Sequence, residues 1–118
     1  MNLFIKEDFI SHAGLPLTWK VECDALSEKD YEALAKIVSE KLTFCDVKGI
    51  PRGGIPFEKA LKKYCTYNES DPLLICDDVY TTGTSMREVY EEGAIGVVLF
   101  ARYEINDDWI KAIWQFAI

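Results

Sequence analysis

Basic residues are scarce in this sequence: 13 Lys and Arg stand against 20 Asp and Glu, the net charge is -7, and the cations form no cluster. A broad nucleic-acid footprint is therefore not expected, because phosphate backbones recruit grouped Lys and Arg. A local phosphate site stays open to an acidic chain, since backbone amides and one or two basic side chains suffice for it. There is a single histidine, and the four cysteines, Cys23, Cys45, Cys65 and Cys76, contain no Cys-x-x-Cys pair. That combination argues against a zinc site. No apolar run approaches the length of a membrane span and no apolar signal segment opens the sequence. The expectation is a cytoplasmic protein with no membrane partner, whose thiols are reduced, buried and inert.

What is present is the composition of a folded globule, with 49% hydrophobic and 28% charged residues in a chain of 118. That length supports one core and is too short for two, so residues 1–118 are read as a single domain. The stretch Leu3 to Ala25 mixes aromatic and β-branched residues around the break Ala13-Gly14-Leu15-Pro16, which predicts two short extended pieces about a turn. Ser27 opens a helix: Asp30 completes a capping-box pattern, and Tyr31, Leu34, Ala35, Val38 and Leu42 fall on one stripe. Three short apolar runs follow, Val47 to Ile50, Leu73 to Cys76 and Ile95 to Phe100, separated by helical segments Ile55 to Tyr64 and Thr84 to Glu92. This rhythm predicts parallel strands with crossover helices and puts both intervening Gly-containing loops at strand carboxyl ends, where open α/β sheets bind ligands. The tail Asp107 to Ile118 is too apolar to dangle, but its pattern does not separate strand from helix.

The most informative stretch is Leu73-Leu74-Ile75-Cys76-Asp77-Asp78-Val79-Tyr80-Thr81-Thr82-Gly83-Thr84-Ser85, an apolar strand running into two acids and then a hydroxyl-rich turn. Successive amides in a tight loop entering a helix form an anion site. Gly83 permits close main-chain approach, and Thr81, Thr82, Thr84 and Ser85 add hydroxyl donors. Adjacent carboxylates repel, so Asp77 beside Asp78 calls for a partner that rewards the pair; ribose hydroxyls and a divalent cation both qualify. A plain strand, turn and helix cap accounts for Gly83 and the threonines but not for the paired acids. A second loop, Val47-Lys48-Gly49-Ile50-Pro51-Arg52-Gly53-Gly54, offers paired glycines and the donor fork of Arg52.

The first stretch resembles the signature of the type I phosphoribosyltransferases, which use phosphoribosyl diphosphate, and the second resembles the diphosphate loop of the same superfamily, particularly its orotate branch. Phe9-Ile10-Ser11-His12-Ala13-Gly14 is similar to the start of orotate enzymes, which usually carry lysine where His12 stands. Arg102-Tyr103-Glu104 is similar to the place where that branch sets an arginine against the base, and Trp19 to Leu26, with Lys20, adds to a likeness with short orotate-phosphoribosyltransferase-like proteins. The resemblance implies a Rossmann-like α/β fold, a mostly parallel sheet flanked by helices with a reduced hood from the N-terminal segment. It implies that Asp77, Asp78, Thr81, Thr82, Gly83, Thr84, Ser85, Pro51, Arg52, Gly53 and Gly54 hold phosphoribosyl diphosphate or a nucleoside monophosphate. Asp77, Asp78 and Arg52 are then the catalytic candidates, Arg102, His12 and Lys20 the base contacts, and Mg2+ the cofactor, held by Asp77 and Asp78 through water. It also allows a homodimer.

One family feature is missing. Longer relatives place a flexible basic loop before the acidic-pair strand, whereas Cys65-Thr66-Tyr67-Asn68-Glu69-Ser70-Asp71-Pro72 contains no Lys or Arg. Such a lid excludes water and supplies cations to the leaving diphosphate. Three functions therefore compete: a Mg2+-dependent transferase acting on a nucleobase such as a pyrimidine, a non-catalytic sensor of phosphoribosyl diphosphate or nucleotide, and an interaction protein that keeps only the fold.

Overall fold

The computed structural model describes residues 23–115 together with the strand backbones at 4–5, 9–10, 16–17 and 20–21. The four N-terminal strands, β1 (Phe4–Ile5), β2 (Phe9–Ile10), β3 (Pro16–Leu17) and β4 (Lys20–Val21), form two antiparallel pairs, β1 with β4 and β2 with β3. The sequence pattern predicted two extended pieces here; the pairing divides them into four.

The helix α1 (Glu28–Lys41) begins at Ser27, whose hydroxyl accepts from Asp30 N at 3.2 Å while Asp30 returns a carboxylate to Ser27 N at 2.8 Å. This reciprocal cap satisfies two of the amides that a helix start leaves unpaired. Tyr31, Leu34, Ala35 and Val38 form its buried stripe, and the Tyr31 ring meets the Phe57 ring of α2 (Ile55–Leu61) with centroids 6.4 Å apart. A 3-10 turn, Lys62–Tyr64, extends α2 over the full segment expected to be helical.

Four parallel strands build the main sheet in the order β5 (Asp46–Gly49), β6 (Leu73–Tyr80), β7 (Ile95–Ala101), β8 (Ile110–Gln115). β7 and the amino half of β6 are almost continuously apolar because both faces of the sheet are covered, as parallel sheets require. Leu74 and Cys76 face the core shared with α1 and α2, while Ile75 faces a second core containing Met86 of α3 (Thr84–Glu88), Val98 and Ile110. Within the tail, Ile110–Gln115 is thus a strand.

Two boundaries differ from expectation. β6 runs on to Tyr80, because Asp77 pairs with Val98 and Val79 with Phe100, so the acidic pair lies inside the strand's carboxyl half. α3 stops at Glu88; a turn through Gly93 at φ 84° then leads into β7. Two cysteines also differ: Cys23 and Cys76 are buried as expected, but Cys45 and Cys65 are only half-buried, and all four are free thiols. No helix among the described residues is long and apolar enough to cross a membrane.

Candidate functional site

The loop after β5 is fixed by short main-chain bonds: Ile50 N donates to Cys76 O at 2.9 Å and Gly54 N to Ile50 O at 2.8 Å. Glu58 of α2 adds a carboxylate that accepts from Gly49 N at 2.9 Å. The Pro51-Arg52 peptide is cis. Pro51 and Arg52 are exposed, Gly53 is half-buried and Gly54 buried. A Cβ on Gly53 would collide with the Asp78 carboxylate, and one on Gly54 would fall 2.7 Å from both Ile50 N and Ile50 O. The structure therefore brings the paired glycines against the acidic pair, joining the two candidate motifs at the carboxyl ends of adjacent strands.

Asp77 and Asp78 are both half-buried. Asp77 Oδ1 accepts from Asp78 N, and Asp78 Oδ1 from Val79 N, each at 2.8 Å. Burial, then hydrogen bonding with the Asp78 carboxyl and repulsion by its charge, push Asp77 up to about 8. An apo protein near neutral pH thus keeps a proton on this pair, as like charges in one site do. Among the described residues no group of three or more His, Cys, Asp or Glu side chains stands together to hold a metal ion. The pair fits Mg2+ only where ligand oxygens or water complete the shell.

Beyond the pair, Thr81 and Thr82 are half-buried, Gly83 is buried, and Thr84 and Ser85 are exposed. Gly83 adopts φ +80°, a conformation that favours glycine and turns the chain from β6 into α3. The Thr82 and Thr84 hydroxyls lie 3.0 Å apart. Arg102, just past the carboxyl end of β7, is buried; its main-chain N–H donates to Tyr80 O at 3.0 Å, and its guanidinium lies 5.9 Å from the Tyr103 ring centroid. His12 and the Lys20 side chain lie outside the described residues, although the Lys20 backbone pairs in β4.

Sequence reasoning missed Arg87 and Asp107. Tyr80 OH donates to Asp107 Oδ2 at 2.8 Å, and Arg87 Nη1 donates to the same oxygen at 2.8 Å. No local pattern links positions so far apart in the chain; the only hint was an arginine one turn after Gly83.

The connector 65–72 lies at the opposite end of the sheet. Thr66 N donates to Phe44 O, Tyr67 N to Cys45 O and Cys45 N to Pro72 O, all at 3.0 Å or less. Those bonds tie it to the amino ends of β5 and β6, away from the loops at their carboxyl ends.

The architecture is that of the phosphoribosyltransferase-like α/β proteins. Among solved structures the chain is similar to the orotate phosphoribosyltransferase from Aeropyrum pernix, with TM-score 0.69 and 20% identity over 97% of this chain and 89% of that one. It is also similar to the UMP synthase of Leishmania donovani, with TM-score 0.70 and 15% identity over 97% of this chain and 34% of that one. The orotate phosphoribosyltransferase of Mycobacterium tuberculosis matches with TM-score 0.62 and 12% identity over 95% of this chain and 89% of that one. No protein-family model matches the sequence, and no curated protein does.

Proposed function

We propose that the chain binds phosphoribosyl diphosphate and transfers its phosphoribosyl group to a nucleobase with Mg2+. The observation that supports this reading is the close approach of Gly53 to the Asp78 carboxylate, where a Cβ on Gly53 would meet it, because this brings the candidate diphosphate loop against the candidate ribose-binding pair. In the transfer a base nitrogen bonds to C1 of the ribose and gives up its N–H proton to the departing diphosphate or to water, the C1–O bond to diphosphate breaks, and its electron pair leaves with the diphosphate. Asp77 and Asp78 accept hydrogen bonds from the ribose hydroxyls. Thr81, Thr82, Gly83, Thr84 and Ser85 hold the 5-phosphate, and Pro51, Arg52, Gly53 and Gly54 hold the diphosphate, with Arg52 as donor fork. Arg102 meets a polar edge of the base, a pyrimidine such as orotate. Mg2+, when bound, neutralises charge on the departing diphosphate. Energy from the two remote anionic groups positions C1, so the reaction needs few acid and base groups.

A non-catalytic sensor is the second reading, favoured by the connector being tied at the far end of the sheet. The two separate in one assay: the protein is incubated with phosphoribosyl diphosphate, Mg2+ and a panel of bases. Formation of nucleotide and diphosphate establishes the transferase, while tight binding without product establishes the sensor. In the double variant Asp77→Asn with Asp78→Asn, affinity is expected to fall at least roughly tenfold, the loss of several charge-assisted hydrogen bonds. Unchanged affinity in that variant removes both readings.

A further inference from the structure

One carboxylate oxygen spans the whole hydroxyl-rich loop. Tyr80, the residue immediately before Thr81, and Arg87, whose N–H donates to Gly83 O at 3.0 Å, both donate to Asp107 Oδ2 at 2.8 Å. Asp107 belongs to the connection 102–109 between β7 and β8 and is remote in sequence from the loop. Its side chain is only 13% exposed, whereas that of Arg87 is 47% exposed. Asn106 N also donates to Tyr80 OH at 3.4 Å, and Arg87 Nη2 reaches Thr84 Oγ1 at 3.5 Å. Gly83 is seated on this assembly: a Cβ there would fall 2.6 Å from Asp107 Oδ2, 2.7 Å from Arg87 Nη1 and 2.7 Å from Tyr80 Cε2.

From this geometry we infer that Asp107 is a positioning residue for the phosphate loop, holding Thr81 to Ser85 in their binding shape before the ligand arrives. The inference rests on the proposed function, since it assigns the loop to the 5-phosphate. The physical reason is preorganisation: a loop fixed at both ends loses less freedom when its amides close on an anion. Asp107 bridges the last residue of β6 to the first turn of α3, so neither flank of the loop moves alone. Arg87 is held at the loop's edge by the same charge-assisted bond, which is stronger than a neutral one.

The test uses two probes that address different halves of the site, ribose 5-phosphate and inorganic pyrophosphate, titrated calorimetrically into the whole chain with Mg2+. Asp107→Asn keeps the side-chain volume but removes the charge. It is expected to weaken ribose 5-phosphate roughly tenfold or more while leaving pyrophosphate within about twofold. Tyr80→Phe removes one of the two bonds and is expected to shift ribose 5-phosphate in the same direction by a smaller factor; should Asp107→Asn not fold, this variant decides alone. A purely structural role would lower the affinity for both probes together, and that result, or no change in either, overturns the inference. Wild-type protein that fails to bind ribose 5-phosphate overturns the functional reading itself, a different outcome from a wild type that binds and a variant that binds equally well.

Discussion

At Asp77 stability and the proposed function pull in opposite directions. In an unfolded chain an aspartate releases its proton near pH ~3.9, but in the fold burial and Asp78 keep that proton until about pH 8. Across that window the native state holds a proton the unfolded state has lost, so stability falls as pH rises. The contribution is fully present below the unfolded value and is gone above the folded one. Each pH unit within the window is worth up to about 1.4 kcal/mol for one proton. Asp77→Asn should therefore melt higher than wild type at pH 7.5, with the gain vanishing near pH 4. Equal differences at both pH values, measured by thermal denaturation, would refute this account. The proposed ribose contact of Asp77 would account for a residue that costs the empty protein stability.

At the scale of elements, the same sequence was read well where pattern and packing agree. β5, β6, β7 and α1 were legible because short apolar runs and one helical stripe leave few alternatives. The carboxyl half of β6 was not, since Asp77 and Asp78 look like the end of a strand; their pairing with β7 is a tertiary fact. β8 was ambiguous because its pattern is mixed, with Ile110 buried, Lys111 exposed and Trp114 stacked on Phe100 at 5.1 Å. A parallel neighbour usually follows a crossover helix, yet the connection 102–109 contains none. For the candidate site, Asp77, Asp78, Gly53 and Gly83 could be picked out locally, whereas Asp107 could not, because its bonds from Tyr80 and Arg87 exist only in the fold. The α1 cap was visible from Ser27 and Asp30 alone. Ser27→Ala should cost about 1 kcal/mol and lower the melting temperature by roughly 3–5 °C. Ligand affinity should not move, since α1 packs on α2 and supplies none of the candidate ligand groups; a change in affinity for phosphoribosyl diphosphate would contradict that separation.

At the scale of the molecule, the decisive feature is how little positive charge the described residues bring to the open end of the sheet. From Leu73 to Asp77 a strand climbs about 13 Å, so a lid rising from the connector 65–72 and returning would need about 26 Å of chain before covering anything. The connector's full extension is of the same order, about 28 Å, and its bonds to Phe44 and Cys45 keep it at the amino end. Among the candidate cations of the described residues Arg87 is already engaged by Asp107, Arg102 is buried and assigned to the base in the proposed function, and Arg52 stands exposed beside the glycines. The whole chain carries -7, and the proposed ligand is itself a multiply charged anion, so the long-range field opposes binding. On the proposed function, Mg2+ would supply most of the compensating charge. Chelating the metal with EDTA should weaken phosphoribosyl diphosphate by roughly thirtyfold or more, the loss of a few kcal/mol of charge neutralisation. The remaining metal-free binding should tighten as salt rises from about 0.05 to about 0.5 M, because screening acts mainly on repulsion there. Metal-free binding that instead weakens with salt would reveal a cationic patch acting on the ligand, supplied by a second copy of the chain or by residues outside 23–115.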